Sequence, residues 1–163
     1  MNLNKTILSF FLLLTISVFS QKEIEIEKLL NKELKKELQF QNDNPTFEGD
    51  SLIIVEPFKV ENNILSITIK KISYYEENSY LEKQEVALDQ ITSIVKDINV
   101  IFETKLNAVK ITQTYKNGKI TKREDNLFFL QLSAEKNNEA LAKRIIKVFN
   151  KAGFTIEKEY WFD

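Results

Sequence analysis

NAVKITQTYKNGKITKREDNLFFLQLS, residues 107–133, places an Asn-Gly dipeptide between two runs of alternating side chains. Asn117-Gly118 predicts a two-residue type I′ hairpin turn, in which both central residues take positive φ. In that register Lys116 faces Lys119, Tyr115 faces Ile120 and Lys110 faces Asp125. Val109, Ile111 and Tyr115 share one strand face, interrupted by Gln113, because side chains alternate along a strand. LFFLQLS, nearly all apolar, follows as the next strand.

Strand periodicity extends upstream to residue 51. SLIIVEPF is a short apolar run in which Pro57 marks an edge or a strand end. In NILSITIKKISYY, Leu65, Ile67 and Ile69 alternate with Ser66, Thr68 and Lys70. Ile72 falls on the opposite parity and predicts a bulge near Lys70 and Lys71. YEENSY is a turn, and SYLEKQEVAL and INVIFET are further strands. Downstream, Asn138 to Ala152 is a helix, with Asn137 or Asn138 as its N-cap. Leu141, Ile145, Val148, Phe149 and Ala152 form its apolar face. Lys143, Arg144, Lys147 and Lys151 fill the other face and suit the helix C-terminus, which explains them better than nucleic-acid binding does. Gly153 sits at C′, with Phe154 placed to pack on Phe149 in a Schellman ending. FTIEKEYWFD closes the chain as a strand or extended tail.

This order predicts an α+β fold. Its body is a strongly bent antiparallel sheet or partly open barrel covered by the C-terminal helix. No βαβ crossover or internal repeat is expected. An additional helix precedes the sheet: in residues 23–40, Ile26, Leu30, Leu34 and Leu38 recur every fourth position, with Leu29 widening the stripe. So narrow a stripe predicts a charged helix packed loosely on its own domain. A partner-binding helix is the other reading, and mixed charge disfavours a membrane-surface one. Residues 41–50, with Pro45 and Gly49, are a polar linker. Their acidic residues Asp43, Glu48 and Asp50 lack calcium-loop spacing.

At the N-terminus, Ile7 to Phe19 carries no charge and spans roughly 20 Å as a helix, short of a bilayer core of roughly 30 Å. Lys5 precedes it, and Val18-Phe19-Ser20 supplies the residues of a cleavage site. Residues 1–20 therefore read as a signal peptide cut after Ser20, with an uncleaved anchor as the alternative. The expected organisation is signal peptide at 1–20, amphipathic helix and linker at 21–50, and one domain at 51–163. Export to the periplasm or beyond the cell follows. The membrane is touched only through the signal segment before cleavage.

The chain has no cysteine and no histidine, and a formal charge of −1. Disulfides are excluded, as are Ser-His-Asp chemistry and ordinary zinc, copper, haem or iron–sulfur ligation. Gly49, Gly118 and Gly153, the three glycines, build no phosphate-binding loop. The charge balance gives no reason to expect nucleic acid. No catalytic residue, metal site or cofactor is assigned.

From Tyr80 onward, the strand pattern of Val86, Leu88, Ile91 and Ile94 is followed by INVIFET, the KNGK hairpin, LFFLQL and EALAKRIIKVFNKAG. Together these segments resemble small exported bacterial proteins of unknown role with a pleckstrin-homology-like domain. The resemblance covers about half of the chain and implies a bent sheet plugged by Leu141, Ile145 and Phe149. It carries no catalytic residues, since the fold is typically a binding scaffold. The leading helix and the strand after Gly153 depart from that pattern.

The resulting expectation is a non-catalytic binding or interaction module. Its candidate surface is the aromatic, acidic turn Tyr74, Tyr75, Glu76, Glu77 and Tyr80, together with Tyr160 and Trp161 of the tail, since tyrosines bury area yet keep a polar tip. In a strand, Trp161 points opposite to Tyr160 and Phe162. The partner is a protein or a small apolar ligand. In the alternative reading, a carrier holds a lipid within the curved sheet, lined by Phe102, Phe128 and Phe129. The remote alternative is a hydrolase using the carboxylates of Glu157 and Glu159.

Overall fold

The computed structural model of the chain describes residues 3–44, 53–72 and 79–162, with side chains from residue 23 onward. Tyr74, Tyr75, Glu76 and Glu77 lie outside the described residues, as does most of the polar linker. The elements run α1 (Leu3–Asp43), β1 (Ile53–Glu61), β2 (Ile64–Lys71), β3 (Tyr80–Ala87), β4 (Ile91–Asp97), β5 (Asn99–Thr104), β6 (Val109–Tyr115), β7 (Ile120–Asp125), β8 (Leu127–Phe129), α2 (Ala140–Ala152) and β9 (Glu157–Trp161). The α+β class is borne out. A five-stranded antiparallel sheet has the order β1-β2-β3-β6-β7, and a four-stranded sheet has the order β8-β5-β4-β9. Neither closes into a barrel.

One strand pair departs from the antiparallel expectation. β9 runs parallel to β4, with Ser93 opposite Glu157 and Lys96 opposite Trp161. β8, α2 and β9 thus form a βαβ crossover spanning the smaller sheet, contrary to the sequence-based expectation. A helix that carries the chain back along the sheet lets the next strand start from the same end as the last.

The Asn117-Gly118 hairpin forms in a different register. Only Gly118 within the loop takes positive φ (80°). The Tyr115 carbonyl accepts from the Gly118 N–H, and the Tyr115 N–H donates to the Lys119 carbonyl. The loop is therefore three residues long, a type I turn closed by a left-handed glycine. Thr114 faces Ile120 and Lys110 faces Glu124, so the pairing slips by one residue. The bulge expected at Lys70 and Lys71 is also absent: β2 pairs with β3 without a break, and the irregularities lie on β1, between Ile54 and Lys59.

α1 runs past both ends of the expected 23–40 span and is packed tightly, not loosely. Ile26, Leu30 and Leu34 are fully buried in the core. At 3.6 residues per turn, a four-residue step advances about 40° beyond a full circle, so the stripe drifts around the helix. By Leu38 it has turned away, and Glu33 and Glu37 occupy the buried line instead. Both carboxylates are satisfied. Glu37 accepts from Ser133 N (3.1 Å), Ser133 Oγ (3.1 Å) and Ala134 N (2.9 Å). Glu33 pairs with Lys36 at 2.7 Å and with Arg144 of α2 at 3.3 Å.

α1 also covers a sheet edge. Asn31 both donates to the Phe58 carbonyl (2.7 Å) and accepts from the Phe58 N–H (2.9 Å). Glu27 accepts from Val60 N–H, and Glu23 from Asn63 N–H. Among the described residues β2 is the strand beside β1, and side chains spaced four apart on α1 cover the other edge of β1. At the edge of β8, Gln84 of β3 accepts the Phe129 N–H.

α2 ends as its sequence predicts. Gly153 has φ 94°, Phe154 N–H reaches the Phe149 carbonyl, Gly153 N–H reaches that of Asn150, and the two phenylalanine rings pack edge to face. Its start differs: Glu139 occupies the N-cap and makes no side-chain cap bond. The Asn138 side chain is engaged elsewhere. Its Oδ1 accepts from buried Lys96 (3.2 Å) and from the Trp161 indole (3.1 Å). Leu141, Ile145 and Phe149 enter the same core as α1 and the inner faces of both sheets.

Candidate functional site

The smaller sheet has two unlike faces, and the register assigns each residue to one of them. Inward go Ile94 and Lys96 of β4, Val100 and Phe102 of β5, and Phe128 of β8. Outward go Ser93, Val95 and Asp97, then Ile101 and Glu103, then Leu127 and Phe129. β9 spends three steps where β4 spends two, since Ile94 faces Lys158 and Lys96 faces Trp161. This bulge keeps Lys158 and Trp161 inward and sets Glu159 and Tyr160 between them on the outer side. Lys158 pairs with Glu139 at the start of α2.

Trp161 is therefore an anchor: half-buried, packed against the core and held by Asn138. Tyr160 and Phe162 project from the other side. Tyr160 reaches across β4, where Val95 is wholly buried, to set its hydroxyl 3.5 Å from Glu103 of β5. Phe162 stacks on it with centroids 5.4 Å apart. The Phe162 N–H bonds the Lys96 carbonyl, which fixes the backbone beneath the stack. Even so, Tyr160 remains 39% exposed and Phe162 63%. At the same end of the sheet, the tight β4–β5 connection presents Ile98, which is 76% exposed and has φ 64°, a left-handed conformation that β-branched residues rarely take.

Carboxylates surround the stack. Asp97, Glu157 and Glu159 are exposed, and Glu103 is half-buried. Glu103 accepts from Ser93 Oγ at 2.6 Å. Partial burial, followed by Glu103, Asp97 and Glu159, pushes the Tyr160 phenol above its ordinary range. Glu157 and Glu159, the pair considered for hydrolysis, both face solvent on β9.

Tyr80 lies elsewhere, at the start of β3 in the larger sheet. It faces Tyr115 with ring centroids 5.2 Å apart, beside Glu82, which accepts from Gln113. The described rings of the sequence-based surface therefore divide between two sheets and do not form one patch. Sequence reasoning missed Glu103, Asp97 and Ile98. The alternation of Tyr160 and Phe162 about Trp161 was readable, but the neighbours they meet depend on parallel pairing with β4.

Phe102 and Phe128, expected around a ligand cavity, pack in the core: Phe102 lies 5.2 Å from Phe149 and 6.5 Å from Phe128. A separate groove of about 530 Å³ opens where the C-terminal half of α1 meets the segment before α2. Phe40, Leu132, Ala134 and Leu141 supply its apolar walls, and Glu33, Lys36 and Glu37 its polar ones. Among the described residues, no cluster of acidic side chains is arranged to hold a metal ion, and no helix is long and apolar enough to cross a membrane. Comparison with known proteins returns no match: no family model, curated protein or solved structure is significantly similar to this chain.

Proposed function

We propose that this chain is a non-catalytic, exported interaction module that engages a protein partner through the outer face of β4, β5 and β9. The observation that carries this reading is the Tyr160–Phe162 stack, held from behind by Trp161 and by backbone bonding yet left open to solvent. A rigid, half-exposed aromatic pair is the kind of anchor that protein interfaces concentrate their binding energy on. Export is supported by Lys5, the apolar run from Ile7 and the residues before Gln21. Cleavage after Ser20 would spare the docked part of α1, whose described contacts with the sheet begin at Glu23. It would also leave Glu23, Glu25 and Glu27 at a helix N-terminus, where negative charge is favourable. A pleckstrin-homology-like arrangement is supported by the order of hairpins followed by one helix.

The test is a photo-crosslinking residue at Phe162 in expressing cells, compared with the same residue at Leu106, which is 81% exposed at the other end of β5. A discrete adduct from position 162 alone is expected. Identical patterns from both positions, or none from either, would overturn the reading. The groove beside α1 supports a second reading, a small apolar ligand carried outside the sheet. Native mass spectrometry of the purified chain should then show a ligand that the groove-filling substitution Ala134→Trp displaces. An unchanged ligand load would rule the groove out.

A further inference from the structure

We propose that the outer face of β4, β5 and β9 docks a basic polypeptide segment, one that presents arginine or lysine beside an apolar side chain. This names the partner class for the surface proposed above and rests on that reading. The face combines two chemistries. Tyr160 and Phe162 offer a stacked, exposed aromatic surface; Asp97, Glu103 and Glu159 lie around it, and Glu157 stands opposite Ser93 on the same face. Among the described residues of these three strands, both lysines turn inward: Lys96 bonds the Glu135 carbonyl and Asn138, and Lys158 pairs with Glu139. Among the described residues, the donors to the Glu103 carboxylate are the neutral hydroxyls of Ser93 and Tyr160, so its charge is not cancelled. A guanidinium suits such a place, because it stacks on an aromatic face and bonds a carboxylate in the same plane. Nucleic acid and anionic membranes are repelled by the same carboxylates.

The chain's own basic face is partly committed, since Arg144 and Lys151 of α2 pair with Glu33 and Glu25 of α1. The proposed occupant is a separate polypeptide, and self-association tests a second copy against it.

The purified full-length chain is titrated by fluorescence anisotropy into a short labelled peptide of alternating arginine and leucine, with alternating glutamate and leucine as the control. The arginine peptide is expected to bind at least about tenfold more tightly than the control and to weaken as salt is raised. Tyr160→Ala combined with Phe162→Ala should weaken it about tenfold or more, and so should Glu157→Gln combined with Glu159→Gln. Leu106→Ala should leave it unchanged. All five positions are exposed, and circular dichroism verifies that each variant is folded. Equal affinity for the two peptides, or indifference to both pairs of substitutions, overturns the proposal. Concentration-dependent self-association that consumes the same face overturns it in favour of a second copy. A crosslinked partner at position 162 without arginine-peptide binding sinks the basic-segment inference alone, whereas failure of both experiments sinks the interaction surface as well.

Discussion

Ile98 occupies a left-handed backbone conformation at a tight strand connection, where its side chain is almost wholly solvated. Such a conformation costs a β-branched residue about 1–2 kcal/mol, while asparagine adopts it readily. Ile98→Asn should therefore stabilise the fold by about 1 kcal/mol, read from the urea midpoint. No gain would mean the strain is relieved by a contact. Gly153 illustrates the reverse case. A methyl group there would meet no atom within 4 Å, so Gly153→Ala tests the φ of 94° alone and should cost about 1 kcal/mol. Asp125 and Tyr160 contribute to the pH dependence of stability with opposite signs. For Asp125, partial burial pushes the pKa up, but the Arg123 guanidinium and the N–H groups of Asn126 and Leu127 outweigh it and hold the folded value below 3.8. Its contribution is present above that pH and is lost as pH falls through the folded value. For Tyr160 the folded pKa is raised above 10.0, so its contribution is lost as pH rises beyond the unfolded value. Tyr160→Phe should flatten the alkaline decline in denaturation midpoint and leave the acidic decline in place. An unchanged alkaline limb would show that Tyr160 does not contribute to it.

α1 is the element whose character the primary structure conveyed least well. Its apolar spacing announced a helix, and that helix is present. The spacing alone did not show that the drift of a four-residue repeat would bring Glu33 and Glu37 onto the buried line, because buried carboxylates depend on distant donors such as Ser133, Ala134 and Arg144. Glu37→Ala leaves the Ser133 and Ala134 donors without their acceptor and should cost about 3 kcal/mol. Hydrogen exchange should localise the damage, with the Ser133 and Ala134 amides losing protection before those of β2. Uniform protection across the variant would mean that water replaces the carboxylate at little cost. The hairpin carries a similar lesson. Asn117-Gly118 announced a turn, but the choice between two loop residues and three belongs to Asn117, whose backbone keeps negative φ while its side chain accepts the Lys119 N–H. The end of α2 was fully readable because every group in it is local. Parallel pairing of β9 was not, since nothing within residues 157–161 specifies a partner. The interaction face inherits that limit: its aromatic residues are local to the tail, and its acidic neighbours are contributed by β4 and β5.

Across the molecule, both helices and both sheets share one core, in which Phe102, Phe128 and Phe149 meet. Phe149→Ala should therefore cost about 3–5 kcal/mol and destabilise both sheets together. Far-ultraviolet circular dichroism and tryptophan fluorescence, the latter reporting Trp161 of the smaller sheet, should follow one coincident transition. Separated transitions would show that the two sheets unfold independently. The bond from Glu37 to Ala134 spans 97 positions of sequence. Synthesised from its N-terminus, the chain makes α1 first and β1 next, but the partners of α1 around Ser133, Ala134 and α2 come last. Until residue 149 has emerged, Ile26, Leu30 and Leu34 have no finished surface to close against, so the earliest helix is among the last elements to be seated. Contacts so remote in sequence slow folding. A nascent chain of this design remains open, and threadable through a narrow passage, for nearly the whole of its synthesis.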